Sequence, residues 1–239
     1  MTRRLLDRQV RLLEYLTSGD AIFRGNRQAP IDPALQGIDR GMLHLEARFS
    51  HEKRMEKIAA VFPVTFDLIG AGLDGIVRGF VDACPPLDIS RIENARQFYD
   101  FLTARWQREP PAPRYLPDVA AFELACAQVR VASDTGEPAT VPVDTARAGI
   151  RRKPGVVLLR AAYDIRAIFE NGRGATAPIE RETPLAITLA SGEPQIFELT
   201  PEIFDLLSAL ERWVAIDELP GADELIASLA DAGMLELSR

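Results

Sequence analysis

Two histidines, His44 and His51, and two cysteines, Cys84 and Cys126, are the whole complement of imidazole and thiol side chains in this sequence. On a helix the seven-residue step from His44 to His51 is two turns, about 10.5 Å along the axis. Asp39, Glu46 and Glu52 lie nearby as oxygen ligands, which makes a metal site one reading of the pair. Two rigid imidazoles bridge two turns less readily than the four-residue spacing of a zincin helix, so a solvated helix face is the better reading. The cysteines are too few for a disulfide scaffold; each falls on an apolar helical stripe and reads as a reduced core thiol. No HExxH, CxxC, GxGxxG, phosphate-cradling glycine loop, nucleophile elbow or EF-hand spacing occurs, and SGD, LASGEP and SDTGEP are better explained as turns. Local motifs therefore disfavour a self-sufficient enzyme. The rival that stays open is a hydrolase or metal enzyme built on His44 and His51, or on carboxylates that converge from distant segments.

With 239 residues, 47% of them hydrophobic and 26% charged, the chain has ordinary globular composition and room for one large or two modest domains. Disorder, collagen and coiled-coil fibre are excluded. The 28 Lys and Arg against 35 Asp and Glu leave a net charge of -7, which gives no global attraction for phosphate backbones or anionic lipid. Arg8, Arg11 and Glu14 interrupt the opening before a signal-peptide core can form, and nowhere do eighteen apolar residues run together; a cytoplasmic, non-spanning protein is expected. Charge is uneven along the chain. Residues 1–60 carry 11 basic and 8 acidic side chains, residues 61–175 carry 14 of each, and residues 176–239 carry 3 and 13. The carboxyl end is a distinct acidic unit.

Apolar spacing over the first 131 residues is helical almost throughout. A first amphipathic helix covers roughly residues 3–17 and stops at Ser18-Gly19-Asp20. Asp32 before Pro33 offers an N-cap, followed by a stripe of Leu35, Ile38, Met42, Leu45 and Phe49 that predicts a helix with one buried face. Ser50 offers a fresh cap for the turns through Met55, Ile58 and Phe62, which Pro63 interrupts. Leu73 to Cys84 fits another helix ended by Pro85-Pro86, and Phe98, Phe101, Leu102 and Trp106 a further one. Leu116-Pro117-Asp118 opens a helix that is apolar on two adjoining faces, which predicts a central place in a bundle, with Asp118 favouring the helix dipole.

Residues 133–153, with Gly136, Pro138, Pro142, Gly149 and Arg151-Arg152-Lys153, break the period and read as a linker between a helical bundle domain at 1–132 and a second domain at 154–239. Val156 to Leu159 is a strand candidate leading to a short helix ended by Gly172. Leu185, Ile187 and Leu189 alternate with smaller residues, Ser191-Gly192-Glu193-Pro194 turns, and Gln195 to Leu199 returns as a hairpin. Thr200-Pro201 caps a helix, a brief segment follows at 216–219, and Leu225, Ile226 and Leu229 drive a last helix before strand-like Met234 to Leu237. The predicted class is α+β: a bundle followed by a small winged helix-turn-helix.

Such folds commonly read DNA with their last major helix, but residues 222–231 hold three carboxylates and no Lys, Arg, Asn or Gln to contact bases or phosphates. Binding through the hairpin edge is the remaining mode: unpaired backbone groups accept a peptide as an added strand and apolar side chains provide pockets. The edge candidates are Leu185, Ile187, Leu189, Phe197 and Leu199, with Leu225, Ile226 and Leu229 as the groove floor. Plain core packing explains the same residues. Arg160, Tyr163, Asp164 and Arg166 are candidates for contact with a partner protein or peptide. A DNA-binding regulator using the basic amino-terminal segment is the alternative from another class.

The runs Ala59-Ala60-Val61-Phe62-Pro63-Val64-Thr65-Phe66, Phe80-Val81-Asp82-Ala83-Cys84-Pro85-Pro86, Phe98-Tyr99-Asp100-Phe101-Leu102 and Tyr115-Leu116-Pro117-Asp118 continuing into Phe122-Glu123-Leu124-Ala125 resemble a bacterial family. It comprises partner subunits of multinuclear non-haem iron oxidative enzymes, the methanobactin partner included, whose helical domain carries a DNA-binding label. The resemblance covers most of residues 5–131 by motif and 150–239 by pattern. It implies a non-catalytic subunit, a helical domain joined to a winged peptide recognition element. That subunit binds the leader of a ribosomally made precursor peptide and presents it to an iron-dependent TIM-barrel enzyme in a heterodimer. By this resemblance the iron belongs to the partner, and the chain carries no metal, cofactor or catalytic residue.

Overall fold

The structure, a computed structural model, describes residues 2–24, 32–135, 149–171, 177–219 and 223–238. It divides into two units, Met1–Arg114 and Tyr115–Arg239. Among the described residues the first unit contains helices alone, and the second combines helices with two three-stranded antiparallel sheets, which makes the chain α+β.

The first unit carries α1 (Thr2–Leu16), α2 (Arg40–Ala59), α3 (Pro63–Ile69), α4 (Leu73–Ala83) and α5 (Arg91–Arg108). Asp32 does accept a bond from the Ala34 amide, but it caps only the single 3-10 turn Pro33–Leu35; α2 starts later, capped by Asp39 on Met42 N. Helix α2 then runs unbroken through Ser50, whose cap is not used. The expected stripe is corrected as well. Met42, Leu45 and Phe49 are exposed, and the core side of α2 is instead Leu43, Ala47 and Ile58. The interior is aromatic: Phe98 of α5 lies 5.8, 5.5 and 5.1 Å from the rings of Phe62, Phe66 and Phe80, in tilted and edge-on arrangements that suit ring quadrupoles. Arg54 stacks over Phe80 and donates to Asn94 Oδ1 at 2.8 Å, Cys84 O at 2.8 Å and Gln97 Oε1 at 3.0 Å, tying α2 to the end of α4 and to α5. Burial lowers the guanidinium pKa, since its acceptors are neutral.

The second unit begins with α6 (Leu116–Thr135), a helix that sequence pattern assigns to the bundle domain at 1–132. It packs on the three strands of one sheet, which explains its two apolar faces. That sheet has the order β2–β3–β4, from β2 (Val157–Tyr163), β3 (Glu180–Ala190) and β4 (Glu193–Glu198). The other is β5–β1–β6, from β1 (Gly149–Arg152), β5 (Val214–Ala215) and β6 (Leu235–Ser238). Residues 149–152, read as linker, are thus the central strand of a sheet, and residues 136–148 lie outside the described residues. Gly149 is needed there: a Cβ would sit 2.8 Å from Ser238 Oγ, to which the Gly149 amide donates. Helices α7 (Arg166–Asn171), α8 (Pro201–Ala209, capped by Thr200) and α9 (Asp223–Asp231) complete the unit. Ile150, Val156, Ala186, Leu207, Ile226, Leu229 and Leu235 share one core, where α8 and α9 meet both sheets.

Candidate functional site

The hairpin turn sets the phase of the β4 edge. Ser191 and Gly192 both have positive φ, 54° and 84°, the two-residue loop whose twist suits a hairpin. Ala190 and Glu193 flank it as a hydrogen-bonded pair, and such pairs recur at every second residue. The phase is fixed independently by Leu199 N donating to Pro184 O at 2.9 Å. Glu193, Gln195 and Phe197 therefore bond to β3, while Pro194, Ile196 and Glu198 turn their backbone groups to the open side. Pro194 has no N–H to offer, so that end of the edge is blunted, and Ile196 and Glu198 hold its N–H donors.

The other edge, β2, is closed at its carboxyl end. The register shifts between Ala161 and Tyr163, freeing amides from the ladder, and Asp118 Oδ2 of α6 accepts the Tyr163 amide at 2.9 Å. The Ala162 amide bonds the same carboxylate, yet burial is the larger influence and raises the Asp118 pKa. Asp118 thus does more than complement a helix dipole: it satisfies a β-bulge.

The hairpin candidates separate into two sets. Leu185 and Ile187 are fully buried on β3, which pairs with β2 on one side and β4 on the other, so the Leu185 to Ala190 strand offers no free edge. Ala186 joins the core shared with α8 and α9, so by strand alternation Leu185, Ile187 and half-buried Leu189 point to the opposite face, the α6 side. A sheet covered on both faces needs no polar alternation, which is why residues 183–188 are all buried. The second set, Phe197, Leu199, Leu225, Ile226 and Leu229, is brought together: all five belong to, or pack on, one core, with Phe197 and Leu225 partly exposed. Outside both sets, Ile196 is 41% exposed on the edge itself, a residue that sequence alternation did not single out.

The four candidate contact residues are engaged within the unit. Arg160 binds Glu182 at 2.8 Å and Asp205 at 3.0 Å and lies over Phe204. The Tyr163 ring packs edge-on to Tyr115, 6.2 Å away. Asp164 and Arg166 belong to a closed ring of four charges completed by Arg181 and Glu198: each arginine binds both carboxylates, at 2.6 to 2.9 Å. Hydrogen bonding from Arg166, then from Arg181, holds the Asp164 carboxyl well below the usual carboxylate range, and Asp164 in turn raises Arg166. The ring's other two members escaped the sequence reading because they come from different strands. A cavity of about 340 Å³ opens beside the ring, lined by Asp164, Arg166, Ala167, Glu170 and Ala177 to Ile179.

The histidines do not converge. His44 Nδ1 lies 2.5 Å from Ala21 O, and His51 packs edge-on to Phe23 at 5.3 Å. The half-buried pair is not a solvated face, and among the described residues no group of three or more His, Cys, Asp or Glu is placed to hold a metal ion. Nor is any single described helix long and apolar enough to cross a membrane. No protein-family model matches this sequence, and no curated protein matches it significantly.

Proposed function

We propose that the second unit is a peptide-recognition domain of winged-helix type that receives an extended segment on the open side of β4. The observation that carries this reading is the phase of the hairpin: Ile196 and Glu198 turn up to four backbone hydrogen-bonding groups outward, on the strand that also carries the partly exposed Phe197. Of the two edge candidates, this reading keeps the β4 return and drops β3, whose Leu185 and Ile187 are core.

The resemblance drawn from residues 59–125 extends the proposal. The chain is a non-catalytic partner that forms a heterodimer with an iron-dependent TIM-barrel enzyme and presents a ribosomally made precursor peptide to it, the first unit being a helical bundle. Iron belongs to the enzyme partner. The carboxylates of α9, which holds no Lys or Arg, disfavour DNA readout by that helix, and a regulator using the basic amino-terminal segment is the reading that the test below separates. The test is purification of the tagged chain from its own cells, wild type beside Ile196→Pro, with mass spectrometry and iron analysis. A co-purifying iron enzyme in both, and a peptide held by the wild type alone, is the expected result. Salt-labile DNA, or iron bound by the isolated chain, refutes the reading.

A further inference from the structure

We propose that the first unit holds a binding pocket for a short aliphatic carboxylate of two or three carbons, a site independent of the strand-addition reading above. The pocket lies where the end of α1, the turn that follows it, α2 and α4 come together. Its volume is about 40 Å³, which at roughly 10–15 Å³ for each water-sized sphere admits about three or four non-hydrogen atoms. Leu16, Ile22, Val81 and Pro86 give it an apolar lining, with Ile22 and Val81 buried. Ser50, His51 and Arg54 line it from adjoining turns of α2.

These three polar residues hold hydrogen-bonding capacity that the fold does not use. Arg54 has five N–H groups and commits three, to Asn94, Cys84 and Gln97, all of them neutral acceptors. Among the described residues no carboxylate offsets the effect of burial on this guanidinium, and a half-buried cation without a counter-charge is favoured by an anion that joins it. The His51 ring packs edge-on to Phe23, and neither it nor the Ser50 hydroxyl makes a hydrogen bond among the described residues. Thr17, also in the lining, is different: its hydroxyl donates to Leu13 O at 2.8 Å. A carboxylate suits the set, because two oxygens can accept from the guanidinium, the hydroxyl and an imidazole N–H while one or two carbons meet the aliphatic side chains. Phosphate or sulfate would set oxygens against those side chains with no donor to meet them.

The chain has two histidines, so imidazole NMR reads the pocket directly. Burial, then Arg54, lowers the His51 pKa, and Glu52 opposes them; an anion bound beside the ring raises it. The full chain is titrated at pH 7 with sodium propionate, and in parallel with sodium chloride and with propionamide. His51 is assigned from His51→Gln, and His44, whose Nδ1 lies on Ala21 O, is the internal reference. The expected result is a saturable shift of the His51 signals with half-saturation at about 1–10 mM propionate, a His51 pKa that rises at saturation, and an unmoved His44. Arg54→Gln should weaken binding about tenfold or more, and Ser50→Trp, which places a large ring at an exposed position of the lining, should block it. An equal response to propionamide or chloride, or a response that never saturates, overturns the carboxylate assignment. Undiminished binding in Arg54→Gln, or in Ser50→Trp where the arginine variant does not fold, overturns the site.

Discussion

Two neighbouring proline substitutions separate the open side of β4 from its paired side. At Ile196 the amide points away from β3, so Ile196→Pro removes no ladder bond. It forfeits part of the packing of a side chain that is 41% exposed, about 1 kcal/mol when the carbons proline retains are counted. At Phe197 the amide is paired to Ala186, which is fully buried. Phe197→Pro leaves that carbonyl without its donor, about 1–3 kcal/mol, and removes a half-buried aromatic from the core, about 2 kcal/mol more. The pair should therefore differ by at least about 2 kcal/mol. Guanidinium unfolding on a Trp106→Phe background isolates the second unit, because Trp213 is then the only tryptophan. Equal costs, or a larger cost at Ile196, would show that the hairpin phase is misassigned and that the outward groups are not where the peptide-binding reading needs them.

Asp118→Ala should destabilise the second unit by about 1–3 kcal/mol, because it strands the amides of the bulge, whereas Asp118→Asn keeps one acceptor and should cost less; urea titration of both variants decides this. The depressed pKa of Asp164 means that its ring stabilises the fold fully above the ordinary carboxyl value of 3.8, and that the contribution is lost as pH falls through the folded value. The stability gap between wild type and Asp164→Asn, followed by fluorescence, should be constant from neutral pH to about 5 and narrow below about 4; a gap that widens in acid contradicts the ring. Cys126, pushed up to about 11 by burial, should resist iodoacetamide at pH 8 in the native chain and react at once in denaturant, as mass spectrometry would record; rapid native alkylation would mean a more open α6.

Much of the local structure was legible in the sequence because its signals are short-range. Pro85-Pro86 ends α4, Thr200-Pro201 starts α8, and Ser191-Gly192 turns the hairpin, each through φ preferences or capping that need no distant partner. The α+β class and the acidic last helix follow from the same reading. Other features were beyond it. The sequence Gly149-Ile150-Arg151-Arg152 has no strand alternation, and it becomes a central strand because β5 and β6 arrive on either side, with Arg151 meeting Glu236 at 2.6 Å. Helix α2 carries apolar residues on two sides, and periodicity alone chose Met42, Leu45 and Phe49 where packing buries Leu43, Ala47 and Ile58.

The candidate site divides in the same way. Composition and spacing determined that a hairpin would exist, that its surroundings would be acidic, and that Phe197, Leu199, Leu225, Ile226 and Leu229 would be apolar. Which strand is central and which is free depends on a third strand, β2, and on α6 covering the sheet's second face, so Leu185 and Ile187 exchange an expected surface role for a core one. The ring of Asp164, Arg166, Arg181 and Glu198 likewise joins residues up to 34 positions apart. A chain records its turns and caps locally, whereas strand order and charge closure are set by long-range packing, and only the tertiary structure decides them.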